Sequence, residues 1–368
     1  MVVSFALALL HATSLEAQEP TRPRLEASAD TNDWEAYHNR GLEKWQRNRG
    51  EADAAFYWAS RLDPTRAEPL FARWAMVWIK EPRRFVKYLN DDRETLESRD
   101  VLQADSLRAI AFQRNPFVLQ SLLMAIYSRL PGGYLEDYVS TAWVAYARGE
   151  LGVAAARFGR AIASDPKRNA YLRFVRASAL VNLQQPDSAL AEITELLTFL
   201  RAAEGKELEL YSSKELLEYA AGRLYSDRRD FTRAADAFGR ALVENAAFAP
   251  AHYGLGAMAQ LQKDWDKALL EYGLAVELDP GDVAARLAYA NALYYDRRGE
   301  EGVKQVRAAI ELEPHYAESY GTLAMMYDRL EDTKAAREAY QRYIAIAPRR
   351  SAAGIIKAKQ RLQELGTP

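Results

Sequence analysis

The residues able to do chemistry are few and scattered. There are four histidines, His11, His38, His252 and His315. No two of them stand at the short spacing that puts two ligands on one helix face or at one metal. There is no cysteine, which removes disulfides, thiolate nucleophiles and cysteine-bound metal. The pair Asp91-Asp92 has the right type for acid–base work, but it sits in a polar stretch where solvation is the plainer role. "GLGAMA" (254–259) has the glycines of a phosphate loop, yet no strand leads into it. No GxxxxGK[ST], HExxH or GxSxG occurs. These observations predict no enzyme, no metal and no cofactor. Carboxylates joined only by folding stay open as an alternative, with residues 65–134 as their place.

The elements that would position any site are helices. Ala, Leu, Glu, Arg and Tyr dominate, and alternating strand-like runs are sparse. The chain has 368 residues, 49% of them hydrophobic. That is ample for a core and long for one ordinary domain. Three segments close alike: "VELDP" (276–280), "IELEP" (310–314) and "IAIAP" (344–348). Pro280, Pro314 and Pro348 follow one another at a step of 34 residues. Proline lacks an N–H and pushes its predecessor out of helical conformation, so each marks a helix end.

Units counted from Ala249, Val283 and Ala317 then align position by position. Position 8 is small (Gly256, Ala290, Ala324), and so is position 20 (Ala268, Gly302, Ala336). Position 24 is large (Tyr272, Val306, Tyr340). Two helices crossing closely need small residues at the crossing and bulky ones to fill the seam around it. His252 takes a seam position, which makes it packing rather than catalysis. Working backwards, 215–248, 170–203 and 135–168 fit the same pattern. A first unit near 33–64 fits if one residue is deleted from its first helix, about 34–46. "RAAEGKELELYS" (201–212) falls between units and reads as a lengthened helix or a loop. The pattern is poor over 65–134, although "AEPLFARWAMVWI" and the stretch 105–130 keep helical spacing.

This pattern resembles the tetratricopeptide repeat. The resemblance covers 135–348 well and 33–64 less closely. It implies an all-α, right-handed superhelical solenoid of stacked antiparallel hairpins. A polar-faced helix at 351–365, with Ile355, Ile356, Leu362 and Leu365 on one side, would cap the array. The expected organisation is a signal segment 1–17, a linker 18–30 without structure, a degenerate helical region 31–134, units over 135–204, a break at 205–214, four units over 215–348 and a capping tail 349–368.

The resemblance also implies where a partner binds. The first helix of each hairpin lines the concave side, and its positions 2, 5, 9, 12 and 13 point into the groove. Among the residues there are Trp143 and Tyr146, Tyr219 and Arg223, Tyr253, then Asn291, Tyr294 and Tyr295, and Arg329. Tyr219, Tyr253, Tyr294 and Tyr295 would form a ladder with Arg223 and Asn291 as polar handles. Tyr and Arg combine contact area with directed hydrogen bonds, so the expected ligand is a protein or an extended or helical peptide. The lysine of the carboxylate clamp used by some members is missing at position 5 (Val139, Tyr219, Tyr253, Leu287, Gly321).

Net charge is −2 with the two signs interleaved, which argues against nucleic acid. The apolar run Val2–Leu10, followed by small residues up to Ala17, looks like a bacterial secretory signal, although the first basic residue is Arg22. It is too short to span a membrane. The expectation is a non-catalytic scaffold of a bacterial envelope assembly, periplasmic or at the cell surface, with the cytoplasm as the alternative. Another reading is a subunit of a homo- or hetero-oligomer, docking through an exposed patch of Trp34, Trp45, Trp58, Trp74 and Trp78.

Overall fold

A computed structural model describes residues 19–89, 99–118, 138–203 and 214–366. Every regular element among them is helical. The first hairpin is α1 (Trp34–Lys44) and α2 (Arg49–Leu62). Then come α3 (Ala67–Lys80), the short α4 (Pro82–Leu89) and α5 (Arg99–Arg114), with α3 and α5 packed together. Six regular hairpins follow: α6 (Tyr138–Ala147) with α7 (Leu151–Ser164), α8 (Leu172–Asn182) with α9 (Pro186–Ala203), and α10 (Lys214–Asp227) with α11 (Phe231–Glu244). The last three are α12 (Ala249–Leu261) with α13 (Trp265–Leu278), α14 (Val283–Tyr295) with α15 (Gly299–Leu312), and α16 (Ala317–Arg329) with α17 (Thr333–Ile346). A 3-10 turn, Arg349–Ser351, leads into α18 (Ala352–Glu364).

The hairpins form because the crossing residues are small. A Cβ added to Gly256 would lie 2.7 Å from the Tyr272 ring, and one added to Gly41 would lie 2.4 Å from the Phe56 ring. Both pairs are position 8 against position 24. The first unit reaches the same contact one residue sooner, which is the deletion expected there. The Phe238 ring is held on both sides, by Gly222 of its own hairpin and Gly254 of the next. One side chain thus joins the closure of a hairpin to the stacking of two.

The turns inside the hairpins are equally uniform. The residue at position 15 is left-handed in all six regular hairpins: Gly149, Gln184, Arg229, Lys263, Arg297 and Glu331, with φ between 58° and 76°. Asp230, Asp264 and Asp332 follow at position 16 and cap the next helix, accepting from Arg233 N, Lys267 N and Ala335 N. Such caps satisfy amide groups that have no partner within the helix.

Several expectations need correction. Residues 19–30 are not an unstructured linker. Pro20 O accepts from Trp58 Nε1 at 2.8 Å, Arg22 lies over the rings of Tyr37 and Trp58, and Leu25 packs beside them. The tryptophans do not form an exposed patch. Trp34, Trp58, Trp74 and Trp78 are buried, and Trp45 is half-buried against the same core. Their large apolar area is used inside the N-terminal units, which lack the regular pattern and need bulk to fill their seams. In α18, Ile355, Leu362 and Leu365 pack on the last hairpin as expected, whereas Ile356 is exposed. The lengthened helix is α9, with 18 residues against 14 in α7 and α11. The expected signal segment, residues 119–134 and most of the 201–212 stretch lie outside the described residues.

Gly256→Ala should destabilise the array by about 1–3 kcal/mol, because the ring of Tyr272 must move to admit a methyl group. Adding Tyr272→Val removes the clash but also the buried ring and its hydroxyl bond to Gln260, so the two losses should combine to less than their sum. Urea denaturation of the single and double variants checks this, and equal stability of the single variant and the parent would refute it.

Candidate functional site

The array curls until its first units meet its last. Across this seam Arg61 pairs with Glu313 at 2.7 Å, and Trp58 meets His315 edge-on at 5.1 Å. Arg350 pairs with Asp33 at 2.9 Å and lies over Trp34, while Arg349 N donates to Asp30 Oδ2 at 2.5 Å. Further along, the end of α5 reaches α10 and the N-terminal cap of α14. The Tyr219 hydroxyl donates to Gln113 O at 2.8 Å, and Arg223 donates to Arg114 O at 2.9 Å. The guanidinium of Arg114 pairs with Asp282.

A cavity of about 330 Å³ lies at that meeting point. Tyr219, Arg223, Tyr253 and Asp282 line one wall, and Thr65, Gln113 and Arg114 the other. Tyr219 and Arg223 are one turn apart on α10, so they present their polar ends side by side. Tyr219 is held by the rings of Phe238 and Phe248. Burial works against the charge on Arg114, and the Asp282 carboxylate more than offsets it. Burial also pushes the Tyr253 hydroxyl up, so it remains a neutral donor. The wall therefore offers hydroxyls, a guanidinium and a carboxylate in fixed places. That equipment suits recognition of polar backbone and a basic side chain. A smaller cavity of about 240 Å³ sits on the seam between Asp63, Thr65, Tyr316 and Glu318.

The expected site residues divide into three groups. Tyr219, Arg223 and Tyr253 come together at the larger cavity. Tyr294, Tyr295 and Arg329 form a second cluster at the turn ends of α14 and α16. There Arg329 lies 4.9 Å over Tyr294, and Tyr295, 51% exposed, stacks on Trp265 at 4.2 Å. Asn291 is half-buried on α14 between these places. Tyr146 is buried in the core of its own unit, and Trp143 packs edge-on against Phe158. The four tyrosines thus make two separate pairs rather than one ladder. Gln113, Arg114 and Asp282 carry the contacts that sequence reasoning missed, and the one local signal was the helix stop at Asn115-Pro116.

Among the described residues the histidines stay apart. His252 is buried, with Nδ1 2.7 Å from Glu271 and Nε2 3.1 Å from Ala246 O, which matches its seam position. His38 lies between the rings of Trp34 and Phe56, and burial lowers its pKa to about 4. Among the described residues no group of three or more His, Asp or Glu is placed to hold a metal ion, and no helix is long and apolar enough to cross a membrane.

Two family models, each described as a tetratricopeptide repeat, match the chain. One matches residues 140–206 and 219–283, and the other 317–350. These spans coincide with α6–α9, α10–α13 and α16–α17. Among solved structures, YrrB, described as a TPR protein with an unusual peptide-binding site, is 24% identical over 56% of this chain and 100% of its own, with a TM-score of 0.44. MamA 41-end from Desulfovibrio magneticus RS-1 is 21% identical over 48% of this chain and 94% of its own, with a TM-score of 0.42. The APC/C hetero-tetramer Cut9–Hcn1 is 12% identical over 90% of this chain and 76% of its own, with a TM-score of 0.48.

The seam should respond to pH through Glu313, whose carboxyl is pushed by burial up to about 7 against the opposing pull of Arg61. A carboxyl that is easier to protonate when folded favours the folded state at low pH. That contribution is lost as pH rises through about 7. The parent should therefore lose roughly 1–3 kcal/mol between pH 5 and pH 8 relative to Glu313→Gln. Denaturant titrations of both proteins at the two pH values check this, and parallel pH profiles would refute it.

Proposed function

Because this chain is a tetratricopeptide-repeat protein, we propose that it is an interaction scaffold that holds a partner protein or peptide against the first helices of its later hairpins. The cavity beside Tyr219, Arg223 and Tyr253 is the observation that carries this reading. Directed polar groups converge there on stiff helices, and a site on paired helices is held more firmly than one on loops. The hairpins supply shape and spacing, while aromatic and arginine side chains supply the contact energy. The reading requires no reactive side chain.

We also propose that the scaffold acts in the envelope of a bacterium. The support is the apolar run Val2–Leu10 followed by small residues up to Ala17. A mature N-terminus at Gln18, found by mass measurement on protein from its own cells, is the expected result. An intact Met1 would refute export without touching the scaffold reading.

Affinity capture of the full chain, tagged at its C-terminus, tests the binding role. A stoichiometric partner should be recovered. Tyr253→Ala should weaken that recovery by about tenfold, the effect of losing one well-packed aromatic contact, with helical circular dichroism unchanged. Tyr295→Ala should leave recovery intact. The reverse pattern would move the binding surface to the Trp265–Tyr295 stack, and recovery untouched by either change would refute a site on these helices.

A further inference from the structure

The end of α5 makes an unusual contact for an array of this kind. Neighbouring hairpins join through apolar clusters drawn from residues close in sequence. The α5 contact instead spans 106 residues from Gln113 to Tyr219, 109 from Arg114 to Arg223 and 168 from Arg114 to Asp282. Three polar contacts carry it. Two main-chain carbonyls accept from a hydroxyl and a guanidinium, and one arginine meets one carboxylate. Gln113 O and Arg114 O belong to the last turn of α5, where carbonyls have no partner inside the helix. The groove supplies the missing donors. The guanidinium of Arg223 also faces the negative end of the α5 dipole. Asp282 divides its two oxygens: Oδ1 accepts from Ala285 N and caps α14, while Oδ2 takes Arg114.

We propose that the C-terminal turn of α5 is an internal stand-in for the groove's ligand, and that the partner it stands in for presents a helix C-terminus ending in arginine. This rests on the scaffold reading given above. Three groove residues read three adjacent features of α5: Tyr219 one carbonyl, Arg223 the next, and Asp282 the arginine side chain. A partner helix with the same end satisfies all three. Parting the groove from the end of α5 breaks polar contacts whose groups find water instead, while α5 stays packed on α3. Across the seam, Arg61 with Glu313 and Arg350 with Asp33 are charged as well and yield in the same way, beside the single ring contact of Trp58 with His315. The intramolecular ligand has the advantage of tethering, so a free partner gains the groove only by binding better or by arriving in a complex that supplies its own effective concentration.

The test uses the full chain and a fluorescent peptide with the sequence of residues 99–118. Arg114→Glu sets a negative charge against Asp282 and should vacate the groove. The peptide should bind this variant at least tenfold more tightly than it binds the parent. A peptide carrying Ala at the Arg114 position should lose that binding, and so should Tyr219→Phe added to the variant chain. Equal binding by parent and Arg114→Glu, or none by either, overturns the proposal. Asp282→Asn gives an independent measurement, because asparagine keeps the cap of α14 while removing the charge. Amide exchange at Asn115 and Val118 should rise at least tenfold in this variant, and unchanged exchange overturns the proposal too. A partner captured equally by the parent and by Arg114→Glu would overturn the stand-in while leaving the scaffold reading in place. Peptide binding without any captured partner would do the opposite.

Discussion

When two helices approach until a ring on one lies against bare backbone on the other, the hairpin has a single geometry. Tyr272 on Gly256 and Phe56 on Gly41 are contacts of this kind. They fix how far apart the helices sit and where along their length they cross. The position of the turn follows, and with it the left-handed residue at position 15 and the aspartate cap behind it. Each hairpin is marginal alone, because helices of about 14 residues are weakly stable in water. Similar hairpins stack with a similar offset, and such offsets accumulate into a curve. The meeting of the first and last units is the sum of many such crossings.

The periodic part of this architecture was readable in the sequence because each rule concerns residues close together. Pro280, Pro314 and Pro348 marked helix ends, and the small and large positions marked the crossings. The one-residue deletion in the first unit was visible for the same reason. The seam was not readable. Arg350 meeting Asp33, or Arg114 meeting Asp282, depends on the summed curvature of every unit between them, and no local pattern encodes that sum. The tyrosine ladder was misjudged on the same ground. Positions 5 and 12 of a first helix lie almost two turns apart, so Tyr253 and Tyr294 reach different places. The tryptophans were ambiguous because bulk at irregular spacing fits a core and a patch equally well until neighbours are known.

The residues around the larger cavity show how a repeat acquires individuality. Tyr219 helps close its hairpin by packing on Phe238, while its hydroxyl and the guanidinium of Arg223 are left for other contacts. Asp282 serves both levels, capping α14 as a repeat element and pairing with Arg114 as a particular one. Such individual contacts gather where distant units are brought face to face.

The closed seam has a mechanical meaning as well. An open solenoid is a spring, and tension applied to its ends is shared among all its units. Here the first and last units hold each other through Arg61, Arg349 and Arg350 and the ring contact of Trp58 with His315. Tension between those units loads that small set of contacts before it reaches any hairpin. The array therefore has a yield point: stiff and compact below it, extensible above it, with every hairpin intact on both sides.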